Sequence, residues 1–235
     1  MNTIHEIIEL LRSMGEKRNI EGMKKYGIVS NAEILGVPKP ELRKLAKNIG
    51  KNHSLALQLW ETKIHEARIL ASLIADPEKV NEELMEKWVK EIDNWDLCDQ
   101  CVMNLFWKTR FAHRKAKEWV LRNEEFVKRA GFALMAKLAI GDKKADNSTF
   151  EEFFPYIIEG AKDERKYVMK AVSWVLRQIG KRNQYLNSRA IQLAKELQKM
   201  GFKSARYIAS EALRELTSKK IQDKLKKRTL RNYLT

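Results

Sequence analysis

An aromatic side chain and a carboxylate stand one helical turn apart in residues 94–99 (NWDLCD). Residues four apart on a helix lie on the same face, so Trp95 and Asp99 would be neighbours. An indole face attracts a cation, and a carboxylate stabilises developing positive charge. The pair could therefore act on a cationic substrate. The alternative is structural, with Trp95 in the core and Asp99 paired to an arginine.

A second group of residues with chemical potential combines cations with a tryptophan. Four residues follow one another at intervals of four, three and four: Lys170, Trp174, Arg177 and Lys181. These intervals place them on one helical face, which is too polar for a core. Cations interleaved with an aromatic ring suit contact with phosphates and sugars. The stripe therefore predicts nucleic-acid binding.

Cys98 and Cys101 have the CxxC spacing of a redox or zinc half-site. No second CxxC occurs, and the four histidines are scattered along the chain, so two thiols on one helix explain the pair better. The sequence also lacks a glycine-rich phosphate loop, a GxSxG motif and an HExxH motif. We therefore expect no cofactor and no metal. Two cysteines without a disulfide framework fit a reducing cytoplasm.

The elements that must position these residues are helices. The 235 residues include only 10 Gly and 4 Pro, while 44 % are hydrophobic and 33 % charged, which is typical of a helical globular protein. No apolar run reaches the roughly 18 residues of a membrane span. We predict an all-α fold. The helical period predicts helices near residues 3–14, 17–26, 40–49, 53–60, 64–75, 81–91, 95–107, 111–121, 124–140, 149–160, 164–180, 186–200, 203–217 and 219–230.

Capping residues predict several helix boundaries. Asn94, Asp163 and Ser204 have side chains that accept hydrogen bonds from a first helical turn. Gly141 and Gly160 follow apolar periodic segments and are expected to end helices. Pro40 and Pro77 likewise suit first turns, where a missing N–H costs nothing.

Helical segments recur at regular intervals. The segment around Trp88 (MEKWV) resembles that around Trp119 (AKEWV), 31 residues later. Longer segments around Arg129, Lys170 and Arg206 align at offsets of 41 and 36 residues. Periods of about 30–45 residues with two helices each are typical of a HEAT-like α-solenoid of stacked antiparallel helix pairs. An irregular helical bundle is the alternative.

In such a solenoid the second helix of each pair lines a concave face. The recurring segments are expected to place one cation each on that face: Arg68, Arg129, Lys170 and Arg206. A basic concave groove suits a DNA duplex.

Positive charge is concentrated in the second half of the chain. Residues 1–120 hold 20 Lys/Arg and 18 Asp/Glu, whereas residues 121–235 hold 26 and 13. A polyanion such as DNA is the expected partner, because phosphate neutralisation releases counterions. We also expect the basic run 219–231 to contribute. The alternatives are a solubilising surface and a protein-binding scaffold; a membrane surface is disfavoured because the basic helices show no apolar exposed face.

Over nearly its whole length the sequence resembles the AlkD-like DNA glycosylases, the HEAT-like-repeat alkylation-repair family. The motifs that carry the resemblance are Gly36-Val-Pro-Lys-Pro, His65-Glu-Ala-Arg, Trp95-Asp-x-x-Asp99, Lys128-Arg-Ala and Lys170-Ala-x-x-Trp174-x-x-Arg177. The resemblance implies a single HEAT-like-repeat domain over residues 1–235. It also implies excision of N3- and N7-alkylated purines from double-stranded DNA. We expect a monomer that acts without a cofactor.

The resemblance assigns roles residue by residue. It implies that Asp99 is the catalytic carboxylate and that Trp95 and Trp174 flank the lesion. It places contacts to the DNA backbone at Arg129 and Arg177. The charge pattern adds three expected DNA contacts: Lys170, Lys181 and Arg206. Some relatives bind unusual DNA without excising a base, so non-catalytic binding of distorted or branched DNA is the alternative function.

Overall fold

The computed structural model describes residues 3–234, with side chains through 228 and at 230. Within this range the chain forms α-helices and two short 3₁₀ turns, and its only β pairing is an isolated bridge between Glu33 and Ile64. The all-α prediction is confirmed. The chain divides into two compact units between Ala112 and His113. The expectation of one domain over 1–235 stays a prediction.

The first unit contains seven α-helices, followed here in chain order: α1 (Ile4–Ser13), α2 (Lys17–Lys25), α3 (Lys39–Ile49), α4 (His53–Glu61), α5 (His65–Ile74), α6 (Glu82–Lys90) and α7 (Trp95–Asn104). The 3₁₀ turns are Pro77–Lys79 and Phe106–Lys108. Helix α5 is the centre of this unit, because α3, α4 and α7 all pack against it.

A tryptophan stack forms part of the core of the first unit. The rings of Trp60 and Trp88 lie parallel with centroids 4.1 Å apart. The guanidinium carbon of Arg68 lies 5.0 Å from the centre of the Trp60 ring, and Nε of Arg68 donates to the backbone carbonyl oxygen of Trp60. A second guanidinium nitrogen forms an ion pair with Glu91 at 3.0 Å. Only 6 % of Arg68 is exposed. The expectation that Arg68 offers a cation to a binding face is therefore wrong, because its charge is used inside the unit.

The second unit contains the remaining helices that the structure describes: α8 (Ala112–Trp119), which starts at the last residue of the first unit, α9 (Glu125–Gly141), α10 (Asn147–Glu151), α11 (Phe154–Gly160), α12 (Lys166–Gly180), α13 (Gln184–Gln198), α14 (Lys203–Leu216) and α15 (Lys219–Leu234). Helices α9 and α12 pack closely along their lengths, and α12, α13 and α14 pack against one another. Helix α15 carries the basic run 219–231, of which the side chains at 229 and 231 lie outside the described residues.

Helix positions agree with the sequence predictions, except that residues 149–160 do not form one helix. The chain breaks between α10 and α11, where Pro155 occupies the first turn of α11. Proline fits there because a first-turn N–H has no intrahelical partner. Pro40 likewise lies in the first turn of α3, as predicted.

The predicted caps divide into correct and wrong ones. The Asn94 side chain caps α7, and Gly141 and Gly160 end their helices as predicted. Asp163 is not an N-cap: it accepts from the backbone and guanidinium of Arg165, and α12 begins only at Lys166. Ser204 is not one either, because it is buried inside α14 and donates to the carbonyl of Ala161 at 2.6 Å.

Gly160 has a packing role beyond ending α11. A Cβ atom at this position would lie 2.4 Å from Cζ of Phe132 on α9. That separation is far below a normal carbon–carbon contact, so a larger residue would force the buried Phe132 ring to shift. The packing of the Phe132 ring against α11 thus depends on the missing side chain.

Candidate functional site

The first turn of α7 is held firmly in place. The Asn94 side-chain oxygen accepts from the backbone N–H of Leu97 at 3.0 Å, which satisfies one unpaired donor of the helix start. The preceding Asp93 accepts from the Ser30 hydroxyl at 2.8 Å and from the backbone N–H of Asn31 at 2.6 Å. The position of α7 is therefore fixed by contacts that are distant in sequence.

Trp95 and Asp99 both belong to α7, one turn apart, as the sequence predicts. Both are half-buried. The Trp95 indole N–H donates to the carbonyl oxygen of Tyr26 at 3.2 Å, which fixes the ring by a hydrogen bond to another part of the unit. The structure thus presents an indole and a carboxylate on one partly accessible face of a helix.

Asp96, between them, has a different environment and is only 1 % exposed. Its carboxylate pairs with Lys39 and lies 3.2 Å from Nε2 of His65. Burial alone would raise the pKa of Asp96, but His65 and Lys39 outweigh burial and lower this pKa. Asp96 is therefore an ionised structural group that anchors α7.

The loop before α3 brings Lys39 to Asp96. Buried Glu66 accepts from the backbone N–H groups of Leu35 at 2.9 Å and Gly36 at 2.7 Å. Gly36 has φ 79°, and a Cβ there would lie 2.4 Å from the carbonyl oxygen of Glu16. A glycine is required for this turn. Residues of two motifs of the resemblance, 36–40 and 65–68, thus hold the start of α7 through Asp96 and line the cavity beside Trp95.

A mainly apolar cavity of about 620 Å³ opens beside Trp95, with Met23 and Tyr26 among its lining residues. Tyr26 is 76 % exposed, and its backbone carbonyl is the group that accepts from the indole. No sequence pattern indicates Tyr26. Its hydrogen bond with Trp95 joins residues 69 apart, and no local pattern predicts that contact.

The second unit carries the charge surplus of the protein. Divided at the boundary between the units, the sequence has 17 Lys/Arg and 17 Asp/Glu in residues 1–112, against 29 and 14 in residues 113–235. The net formal charge is therefore zero in the first unit and +15 in the second, with histidines neutral.

Helix α12 contains most of the predicted stripe. Lys170 is exposed and makes no ion pair or hydrogen bond with any residue that the structure describes. Trp174 is half-buried. The Gln178 amide, oriented with its oxygen toward both groups, accepts from Trp174 Nε1 at 3.0 Å and from Lys181 Nζ at 3.1 Å. Gln178 therefore links the tryptophan of the stripe to its last cation.

Arg177 and Lys181 share a carboxylate that the sequence analysis missed. Glu215 on α14 pairs with Arg177 at 2.8 Å and with Lys181 at 2.6 Å. Burial would raise the pKa of Glu215, but the two cations lower it. Two cations held by one carboxylate keep one net positive charge and a fixed separation.

Two further predicted DNA contacts have contrasting environments. Arg129 on α9 is 6 % exposed and donates to the carbonyl oxygen of Tyr167 at 2.7 Å, which ties α9 to the first turn of α12. Arg206 on α14 is exposed and donates to the carbonyl of Gly201 at 3.2 Å. A packing role is thus visible for Arg129, and the DNA contacts of both residues stay predictions.

The predicted site residues therefore fall in two groups. The first unit brings together Trp95 and Asp99, and the second brings together Trp174, Arg177 and Lys181 through Gln178 and Glu215.

Cys98 and Cys101 are buried as thiols on α7, and burial raises the pKa of Cys101 well above its usual value. Within the described range, no three His, Cys, Asp or Glu side chains are grouped as metal ligands. In that range no helix is both long and apolar enough to cross a bilayer.

Comparison with known proteins gives distant relatives by sequence. An uncharacterized protein of Listeria innocua, Lin0241, is 24 % identical over 140 residues, which are 58 % of this chain and 62 % of the relative. An uncharacterized protein of Listeria monocytogenes, Lmo0209, is 22 % identical over the same shares. The chain thus spans 62 % of the length of these curated relatives.

Fold comparison reaches further than sequence. A solved structure described as "a new family of proteins related to the HEAT-like repeat DNA glycosylases with affinity for branched DNA structures" superposes with a TM-score of 0.73. The match covers 90 % of this chain and 95 % of that one at 21 % identity. The likeness shows the fold, so the prediction of a HEAT-like helical repeat fold is confirmed.

The family model described as DNA alkylation repair enzyme matches residues 7–216, which include every predicted site residue. This match covers most of the chain and both of its compact units. The chain therefore belongs to the DNA alkylation repair enzyme family.

Proposed function

We propose that this protein is a monofunctional DNA glycosylase that removes N3- and N7-alkylated purines from duplex DNA. The observation that carries the proposal is the contrast between two carboxylates on α7. Asp96 is only 1 % exposed, whereas Asp99 is half-buried and lies one turn from Trp95, on the partly accessible face of α7. Membership of the alkylation repair family supports the same reaction class.

The proposed reaction requires few catalytic groups. A purine alkylated at N3 or N7 is positively charged and is already a good leaving group, so no general acid is required. The remaining demand is to stabilise the oxocarbenium-like sugar and to place a water molecule, and one carboxylate can do both. Asp99 is proposed for this role. Trp95 and Trp174 are proposed to hold the sugar, each by cation–π attraction of about 0.5–2 kcal/mol.

Binding to DNA is assigned to the charge surplus of the second unit. The proposed phosphate contacts are Lys170, Arg177, Lys181, Arg129 and Arg206. Such contacts act on any sequence, because phosphates carry no base information. The proposed working form is a monomer in the cytoplasm that needs no cofactor.

The test is release of 7-methylguanine and 3-methyladenine from methylated duplex DNA. We expect release by the wild type, and a rate about 10²–10³-fold lower for Asp99→Asn, because the substitution keeps the shape and removes the charge. Melting temperature and DNA affinity should not change. Asp146→Asn, at an exposed aspartate in the second unit, is the matched control. Unchanged release with a lowered melting temperature for Asp99→Asn would make Asp99 structural.

Binding of branched DNA without chemistry is the second candidate. It is favoured by the structural neighbour, which is described as having affinity for branched DNA. The two candidates separate when affinity for a four-way junction is measured beside base release. Tight junction binding by wild type and Asp99→Asn alike, without release by either, would select the second candidate.

A further inference from the structure

A strongly cationic cleft of about 590 Å³ lies in the second unit, at the ends of α9 and α12 and along α15. Six polar side chains that line it matter here: Lys143, Gln178, Lys181, Arg182, Lys224 and Arg228. Five of these are cations. Among the residues that the structure describes, no carboxylate lines the cleft. The sequence analysis predicted binding for Lys181 and, within the basic run 219–231, for Lys224 and Arg228, but not for Lys143 or Arg182.

Two arginines are built into the cleft. Arg182 donates to the carbonyl oxygens of Ala139 at 2.7 Å and Ala145 at 3.3 Å, and its guanidinium carbon lies 3.8 Å from the centre of the Phe150 ring. Arg228 on α15 donates to the carbonyl of Lys181 at 3.1 Å. The arginines thus cover carbonyls at the ends of α9 and α12, which would otherwise repel an anion, and one in the loop before α10. Their positions are fixed before any ligand arrives.

Two lysines complete the cleft without a counterion. Lys143 and Lys224 are exposed, and neither makes an ion pair or hydrogen bond with a described residue. Burial lowers the pKa of Arg182, an effect that Asp142 only partly offsets. The positive charges around the cleft repel one another. Among the described residues, Glu215 forms an ion pair with one of these cations, Lys181. An anionic ligand would relieve this repulsion.

The cleft continues the tryptophan face of α12. Gln178 lines the cleft and also accepts the indole N–H of Trp174. At 1.5 Å of rise per residue, Lys181 lies about 10 Å along the helix from Trp174. That is about three base steps of a DNA strand. A strand in contact with Trp174 would bring its next phosphates to the cleft.

We propose that the cleft between α9, α12 and α15 is a phosphate-binding site for the DNA strand that passes Trp174. This inference rests on the proposed DNA binding and not on the proposed base release. The arginines and Lys181 are held by hydrogen bonds or an ion pair, while Lys143, in the loop after α9, and Lys224, on α15, supply exposed ammonium groups. Duplex binding therefore depends on residues outside the predicted stripe.

The test compares two double variants with the same loss of charge. Lys143→Ala/Lys224→Ala removes the two exposed lysines of the cleft. Lys195→Ala/Lys199→Ala removes two exposed lysines of the same unit that do not line it. Affinity for an undamaged duplex is measured over a range of salt concentrations. We expect the slope of log K against log salt to fall by about 1–2 for the cleft variant, since each phosphate contact contributes about 0.9. The control should keep the wild-type slope.

Equal slopes for the two double variants would overturn the proposal. A free anion is distinguished in a second arm, in which inorganic pyrophosphate is added during thermal melting. Pyrophosphate that stabilises the wild type but not the cleft variant, with duplex binding equal in both, would make the site one for small anions and overturn its DNA role. The slopes are measured on undamaged duplex, so the cleft test does not depend on base release, which is assayed with Asp99→Asn. Failure of the glycosylase proposal is therefore seen separately.

Discussion

The two units both contain ion pairs but differ in their balance of charge. The first unit has 17 Lys/Arg and 17 Asp/Glu residues. Its ion pairs, such as Lys39 with Asp96 and Arg68 with Glu91, include charged groups inside the fold. In the second unit 29 cations face 14 anions, and the single carboxylate of Glu215 serves two cations. The comparison indicates that balanced, paired charges hold helices such as α7 in position, whereas the net positive charge of the second unit is available to attract a polyanion.

The largest expected effect concerns this surplus. Duplex affinity of the full chain should fall steeply with salt, by about 10³-fold between roughly 50 and 200 mM if six phosphates are neutralised. The measurement is a titration of labelled duplex at several salt concentrations. An affinity that does not change with salt concentration would contradict the proposal that the positive charge of the second unit binds DNA.

The next effect tests the paired charges of the first unit. Asp96→Asn should lower the free energy of unfolding by about 1–3 kcal/mol, because Lys39 and His65 lose their charged partner. Thermal melting measures the loss. The same substitution at Asp99 should leave the melting temperature unchanged. If the two variants melt alike, the division of roles between the two carboxylates fails.

Acid provides a control for Asp96. Its pKa is lowered by folding, so the stability that it contributes is present above the unfolded pKa, about 4, and is lost as the pH falls through the folded pKa. The stability difference between wild type and Asp96→Asn should therefore shrink at strongly acidic pH. A difference that persists there would come from packing and not from ionisation.

The smallest expected effect is the difference in duplex affinity between Lys170→Ala and Arg177→Ala, because Arg177 is paired with Glu215. Lys170→Ala should weaken duplex binding a few-fold, with little dependence on sequence, because one phosphate contact is lost. Arg177→Ala should weaken it more, because the substitution also leaves Glu215 partly unneutralised. Adding Glu215→Gln to Arg177→Ala should restore the affinity to the level of Lys170→Ala. Equal effects of the two single variants would contradict the contribution of Glu215.

Sequence patterns predicted well those features of the fold that depend on residues close together in the chain. Helical periodicity placed nearly all the helices, and Asn94 was correctly identified as a cap because its partner is three residues away. Asp163 and Ser204 were wrong as caps because tertiary partners, Arg165 and the carbonyl of Ala161, bind their side chains instead. Local propensity cannot anticipate such competition.

The candidate site shows the same limit. The spacing of Trp95 and Asp99 was sufficient to place them on one face, because a helix fixes neighbours four apart. The partners of the stripe were not predictable: Glu215 is 34 residues from Lys181, and Arg228 reaches the end of α12 from 47 residues away. Arg68 was assigned to a surface because its burial depends on the distant Glu91.

The two buried thiols of α7 have a consequence for chemical survival. Electrophiles that methylate purine nitrogens also attack thiolates, since the thiolate is the reactive form of cysteine. Cys98 and Cys101 are the two cysteines of the sequence, both are buried within a turn of Asp99, and burial raises the pKa of Cys101. Burial therefore keeps these sulfur atoms away from such reagents in the folded chain, and the raised pKa leaves less of the reactive thiolate at Cys101.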